Sequence, residues 1–204
     1  MHKLEFFFDC SSPWTYLGFE SLQQMAARHP DLEVSYHPFL VGGVFNTVNP
    51  SVYASRDNPV IPKQRYAKKD LQDWAEFVGI RIIHMSKLPV FPVNSVKAMR
   101  GAFVAIEKGC IVPYARRVFE RYWSEGGDIS QDDVLEGIVA DVGLDKTEFF
   151  EKINDPVYKD MLKATTAEVI ERGGFGTPTM FLDGEDMFFG NDRFQLIEAK
   201  IGGK

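Results

Sequence analysis

The chain has 204 residues, 45% of them hydrophobic and 25% charged, with a net charge of −6. That is enough apolar content for a core without a disulfide or zinc staple, and too acidic for a protein that grips nucleic acid by neutralising phosphates. No run of about 18 apolar residues occurs, so no membrane-spanning helix is expected.

Lys3 to Phe8 reads as a short strand buried on both faces; Glu5 and Asp9 break the apolar run too soon for a secretory segment. Ser11-Ser12-Pro13 opens a helix, because serine is a preferred N-cap and proline a preferred first helical residue. Tyr16, Leu17, Leu22 and Met25 carry that helix toward His29-Pro30. From Leu32 to Phe39, Glu33, Ser35 and His37 alternate with Val34, Tyr36 and Phe39, the pattern of a second strand. The opening is therefore β-α-β, with a connection long enough for a right-handed parallel crossover.

Val41 to Pro62, with Gly42, Gly43, three Asn and three Pro, is expected to be a loop. Helical spacing follows in Ala67, Leu71, Trp74 and Val78, in Val96, Met99, Phe103 and Ile106, and in Val112, Ala115, Phe119 and Tyr122. Ser130 to Val142 continues the pattern. Asp145 with Glu148 is expected to cap one helix and Asp155-Pro156 the next, which Gly173-Gly174 stop. Thr179 to Leu182 and Met187 to Phe189 are strands joined by a tight turn at Asp183-Gly184. Asn191 or Asp192 is expected to cap a closing helix through Leu196 and Ile197.

This order predicts an α/β fold: a mixed four-stranded sheet built from β-α-β and β-β-α ends, with a large helical insertion between them. The expected boundaries are 1–45 with 174–204 for the sheet domain and 46–173 for the insertion.

Three segments could carry chemistry. Ser12-Pro13 sits at the C-terminal end of the first strand, where α/β folds place ligands. There it reads either as a plain N-cap or as a hydroxyl beside a helix N-terminus that stabilises an anion such as a thiolate. Gly176-Thr177-Pro178-Thr179 holds an X-Pro bond entering a strand, either an ordinary trans bond or a cis one. Phe189-Gly190-Asn191-Asp192-Arg193 is either a capped helix or a seat for the charged ends of an amino acid. Cys10 and Cys110 lie far apart and His2, His29, His37 and His84 are scattered, so no metal site is expected. Two free thiols fit a reducing, cytoplasmic compartment.

The layout resembles the DsbA-like branch of the thioredoxin superfamily, whose first helix usually opens with Cys-Pro-x-Cys. Here that stretch is Ser12-Pro13-Trp14-Thr15, with both cysteines absent. The run from Phe8 to Glu20, Pro38-Phe39-Leu40, Phe91-Pro92-Val93-Asn94-Ser95, Gly176-Thr177-Pro178 and Phe189-Gly190-Asn191-Asp192-Arg193 together resemble kappa-class glutathione transferases and 2-hydroxychromene-2-carboxylate isomerases. The resemblance implies a thioredoxin-like fold and glutathione as cofactor. It places Ser12 at the glutathione sulfur, and the backbone of Thr177, before a cis Pro178, along the cysteinyl backbone. Asn191 and Asp192 would take the γ-glutamyl end, and Asn49 and Lys63 the glycine end and substrate side. An aromatic substrate would sit beneath the insertion near Trp14, Phe45, Phe91 and Asn94. Cys10, where the family usually has an apolar residue, is expected to be an inert buried side chain. A homodimer is also implied. The implied reaction is isomerisation of 2-hydroxychromene-2-carboxylate to trans-o-hydroxybenzylidenepyruvate. The alternatives are a kappa-type transferase or a noncatalytic glutathione- or peptide-binding module; the missing CxxC argues against a dithiol oxidoreductase.

Overall fold

The computed structural model describes residues 1–202. The last two residues of the expected 174–204 segment lie outside the described residues. Four strands, β1 (Lys3–Phe8), β2 (Glu33–Pro38), β3 (Thr179–Leu182) and β4 (Asp186–Phe189), form one sheet in the order β2-β1-β3-β4. β1 is parallel to β2 and antiparallel to β3, and β3 is antiparallel to β4. The expected mixed sheet is thus present, with the two ends of the chain paired at its centre.

β1 is central in the order and covered on both faces. Leu4, Phe6 and Phe8 face the large core that includes Leu17, Phe19 and Leu22 of helix α1 (Pro13–Arg28). Phe7 points the other way, into a smaller core with Phe39, Val41, Val44, Val169 and Phe181. That alternation is the two-residue period of a strand with both faces buried.

Between β2 and β3 the chain runs through α2 (Val41–Thr47), α3 (Ser51–Asp57), α4 (Ile61–Val78), α5 (Val96–Glu107), α6 (Ile111–Phe119), α7 (Asp132–Asp141), α8 (Lys146–Asn154) and α9 (Pro156–Glu171). A π-type turn, Glu120–Ser124, extends α6, and α10 (Phe194–Ile201) follows β4. The expected caps at Asp145 and Asp155 accept hydrogen bonds from Glu148 N and Val157 N, both at 2.7 Å. The Asp183-Gly184 turn has φ of 53° and 86°, the left-handed pair at the centre of a tight turn in which Glu185 N–H donates to Leu182 C=O at 3.4 Å.

Two expectations need correction. The segment 41–62 is not a loop: α2 and α3 occupy most of it, and α4 begins at Ile61. Its glycines and prolines suggested irregular backbone, but Val41 and Val44 of α2 enter the smaller core, and that tertiary contact overrides propensity. The closing helix is not capped by Asn191 or Asp192 either. Gly190, at φ 105°, turns the chain so that α10 starts at Phe194, and the residue before it, Arg193, makes no side-chain cap bond.

Residues 51–69 form a projecting arm. α3 buries no residue, and α4 packs through its second half, where Leu71, Ala75 and Val78 are buried and Trp74 lies against the core.

Gly18 sets how closely α1 approaches the end of the chain. A methyl placed there would lie 2.9 Å from Pro178 Cγ and 3.6 Å from both Asn191 Cα and the Phe194 ring. Only a hydrogen fits against the proline. Gly18→Ala is expected to lower unfolding stability by about 1–3 kcal/mol, the cost of overpacking a filled contact, despite alanine's better helix propensity. Urea denaturation of both proteins measures it; an equal or raised midpoint would show that Pro178 can retreat freely.

Candidate active site

Where β1 leaves the core, the chain turns polar. Ser12 N–H donates to Asp9 C=O at 3.2 Å, and Ser12 takes extended backbone angles before α1 begins. Its hydroxyl oxygen accepts from Thr15 N–H at 3.3 Å, which makes it the expected N-cap. Because that oxygen is the acceptor, its own proton is free to donate outward. Pro13 has no N–H, and the N–H of Trp14 has no main-chain partner among the described residues. The first turn of α1 carries no acidic residue. The helix therefore presents a hydroxyl donor, a free N–H and the positive end of its dipole, the arrangement that favours an anion.

The far end of the chain closes on this turn. Thr15 Oγ1 lies 2.8 Å from Thr177 Oγ1, both buried. Asp9 N–H also donates to Thr177 Oγ1 at 3.2 Å, so the Thr177 hydroxyl is bonded on two sides. Thr177-Pro178 is cis, as is Phe91-Pro92, the latter not expected from the sequence. Gly190 N–H donates to Pro178 C=O at 3.1 Å, which fixes the β4–α10 turn beside the loop. Thr177's own N–H and C=O make no main-chain hydrogen bond among the described residues. They form a short free edge where Thr177 meets Asp9 and Thr15.

Asn191 lies in the β4–α10 turn, 8% exposed, and its buried Nδ2 has no hydrogen-bond partner among the described residues. A buried amide left unpaired costs on the order of 1–3 kcal/mol, and so points to an acceptor that is not part of the chain. Asp192 is exposed and pairs with Arg193 at 2.6 Å.

The remaining candidates fall in two groups. Asn49 Nδ2 donates to Phe175 C=O at 3.1 Å, which ties the entry of α3 to the loop leading into Thr177. Trp14 is half-buried at the start of α1, and Phe45 on α2 packs edge-on to Tyr53. Phe91 is 43% exposed and meets Trp123 edge-on, and Trp123 Nε1 donates to Cys10 C=O at 2.9 Å. Asn94 is exposed, and its side-chain oxygen accepts from Val96 N–H at 3.1 Å. Lys63 is exposed on the arm and has no ion-pair partner among the described residues. Nothing in the structure draws it to Ser12.

Sequence reasoning missed Asp9, Thr15 and Ser95. Asp9 is 1% exposed; its carboxylate accepts from Ser11 N–H and Val41 N–H, both at 2.9 Å, and the Ser95 hydroxyl lies beside it. Burial pushes its carboxyl above the usual range, and these hydrogen bonds oppose the rise. The available signal was a carboxylate ending an apolar strand three residues before a helix cap.

Two cavities lie elsewhere. One of about 420 Å³ is lined by Tyr16, Glu20, Arg81 and Arg116 among others, and one of about 400 Å³ by His2, Arg28 and His29 among others. Neither includes Ser12, Thr177 or Asn191. Glu20 and Arg116 in the first already satisfy each other in a two-pronged pair at 2.8 and 3.0 Å. Unspent hydrogen-bonding groups mark the Ser12 face as the site more firmly than volume marks these cavities.

The chain matches the family of DsbA-like thioredoxin domains over residues 3–202. It is 31% identical to 2-hydroxychromene-2-carboxylate isomerase of Pseudomonas putida, over 98% of this chain and 94% of that one. It is 27% identical to glutathione S-transferase kappa 1 of Caenorhabditis elegans, over 96% and 88%. The solved structure of a 2-hydroxychromene-2-carboxylate isomerase superposes with a TM-score of 0.83 at 29% identity, covering 98% of this chain and 94% of that one. The chain belongs to the DsbA-like thioredoxin family, in its branch of 2-hydroxychromene-2-carboxylate isomerases and kappa-class glutathione transferases.

The Thr15–Thr177 bond is the tie that closes this site. Thr15→Val keeps the shape but removes one partner of this buried hydroxyl pair. It is expected to cost about 1–3 kcal/mol, read as a lowered urea midpoint with an unchanged slope. An unaltered midpoint would show that the two hydroxyls are not bonded.

Proposed function

We propose that this protein is a glutathione-dependent isomerase of the 2-hydroxychromene-2-carboxylate type. The observation that carries the reading is the buried Asn191 amide, unpartnered among the described residues, together with the free Thr177 edge and the unspent donors at the start of α1. The donor set fits glutathione, an anion-bearing peptide. Thr177 N–H and C=O suit an extended backbone added as a strand. Asn191 Nδ2 suits the γ-glutamyl carboxylate, and Asp192, already beside Arg193, the ammonium. On this reading Asn49 and Lys63 would serve the glycine end and the substrate side.

When bound, glutathione would supply a thiolate whose reversible addition makes a conjugated double bond rotatable, without glutathione being consumed. The residues of the chain do the rest. The Ser12 hydroxyl donates to the sulfur while Thr15 N–H holds its oxygen in place. The Trp14 N–H and the helix dipole add positive potential at the same point. Trp14, Phe45 and Phe91 offer apolar faces for an aromatic substrate, with Asn94 at the rim. A kappa-type transferase would use the same thiol site but consume glutathione, so the glutathione remaining after many turnovers separates the two activities. Two free cysteines support a cytoplasmic setting, and among the described residues no helix is long and apolar enough to cross a membrane.

The arm supports a homodimer. Tyr53, Val60, Ile61 and Tyr66 are exposed on it. Residues 51–69 hold five basic side chains and one acidic, whereas the rest of the chain holds 18 basic and 28 acidic. A second copy thus offers the opposite charge, and a two-fold axis would satisfy both arms at once. Sedimentation should give twice the chain mass, shifted toward the monomer by Ile61→Glu. A monomeric wild type would refute the dimer.

Ser12→Ala is expected to leave glutathione affinity largely intact and lower the rate by about one to three orders of magnitude, the scale for losing one donor to an anion. Thiolate absorbance against pH should show bound glutathione ionising about one to two units below a free thiol near 8.5 in the wild type, and less so in the variant. Identical titrations with full activity would reduce Ser12 to a helix cap. Asn191→Leu should instead raise the glutathione KM with kcat little changed, the mark of lost uniform binding.

A further inference from the structure

We propose that Asp9 is a positioning residue that holds the walls of the substrate pocket against Ser12; this rests on the functional reading above. Asp9 is 1% exposed, and among the described residues no lysine, arginine or histidine hydrogen-bonds or ion-pairs with it. A buried carboxylate without a cation is expensive. Its partners show what it holds.

One oxygen accepts from Ser11 N–H and the other from Val41 N–H, each at 2.9 Å, with the Ser95 hydroxyl alongside. Ser11 precedes the cap of α1, Val41 is the first residue of α2, and Ser95 directly precedes α5. Each partner is a short step from an expected pocket residue: Ser11 from Trp14, Val41 from Phe45, Ser95 from Asn94 and Phe91. One side chain therefore sits beneath all three segments that would contact the substrate. The thiol side is tied differently. Asp9's main-chain N–H, not its carboxylate, reaches Thr177 Oγ1, so a change of side chain leaves that bond in place.

This division makes the role separable. Asp9→Asn keeps the volume but turns one acceptor oxygen into a donor, so either Ser11 N–H or Val41 N–H loses its partner. With glutathione and 2-hydroxychromene-2-carboxylate as probes, Asp9→Asn should bind glutathione nearly as the wild type does by calorimetry. Its kcat should fall by about 10–100-fold, the scale for misplacing reacting groups, and its KM for the chromene should rise. Thr177→Val should show the reverse split, with glutathione KM raised and chromene KM little changed. Ser95→Ala, which removes only the hydroxyl, should lose activity in the same sense as Asp9→Asn but less, and it covers the case in which Asp9→Asn does not fold. Wild-type kcat and chromene KM in Asp9→Asn, or in Ser95→Ala where Asp9→Asn is not folded, overturn the positioning role alone. A wild type that binds no glutathione overturns the functional reading and this role with it.

Discussion

The antiparallel pairing of β1 with β3 is the constraint on which the rest of the structure depends. It joins residues far apart in the chain: Asp9 N–H and Thr177 Oγ1, which bond just beyond it, are 168 positions apart. Closing so long a loop is entropically unfavourable, though the cost grows only slowly with length. What offsets it is the burial of β1 on both faces, with Phe6, Phe7, Phe8, Met180 and Phe181 at 2% exposure or less. Polar ties alone could not close the sheet, since a net hydrogen bond contributes only about 1 kcal/mol. The Thr15–Thr177 and Asp9–Thr177 bonds set the register instead. A strand shifted by one residue would turn Phe7 into the wrong core and strand the Thr177 hydroxyl.

From this pairing the site follows. β1 delivers Ser12 at its C-terminal end, β3 begins just after Thr177-Pro178, and β4 returns to the turn holding Asn191. The close approach at Gly18 brings all three together across one helix face. The helices between β2 and β3 reach the sheet mainly through α2, α5 and α9, while α3 and the start of α4 project outward.

Features governed by local chemistry were legible in the sequence: the Ser12 cap, the Asp145 and Asp155 caps, the Asp183-Gly184 turn and the buried strand before Asp9. Features governed by distant contacts were not. α2 has Gly42 and Gly43 in its first turn and reads as loop; only Val41 and Val44 meeting Phe7, Phe39, Val169 and Phe181 make it a helix. Asp192 has the composition of a cap, but the backbone turn at Gly190 sets the start of α10 and leaves Asp192 to Arg193. Thr15 carried no signal and Asp9 only its place at the end of an apolar strand, because a threonine in a helix and an aspartate after a strand are ordinary until their partners, more than 160 positions away or at the start of α2, are known.

The same geometry bears on why hydroxyls stand at Ser12 and Thr15. At a helix N-terminus a thiol would ionise readily, and a pair of them would make a redox centre. A serine in the first position keeps the donor and the dipole but offers no sulfur of its own. The chain's two thiols do not replace it. Cys10 is 1% exposed with its Sγ 3.2 Å from Met99 Sδ, and burial pushes its thiol well up; burial raises Cys110 as well. Thr15 is fully buried, with its hydroxyl committed to Thr177. Where a dithiol protein would place its second sulfur, this chain has a structural bond. The first turn of α1 is thus built to hold an anion, and the sulfur proposed to carry the chemistry must arrive on a ligand, which is why the free Thr177 edge and the unpaired Asn191 amide matter as much as Ser12 itself.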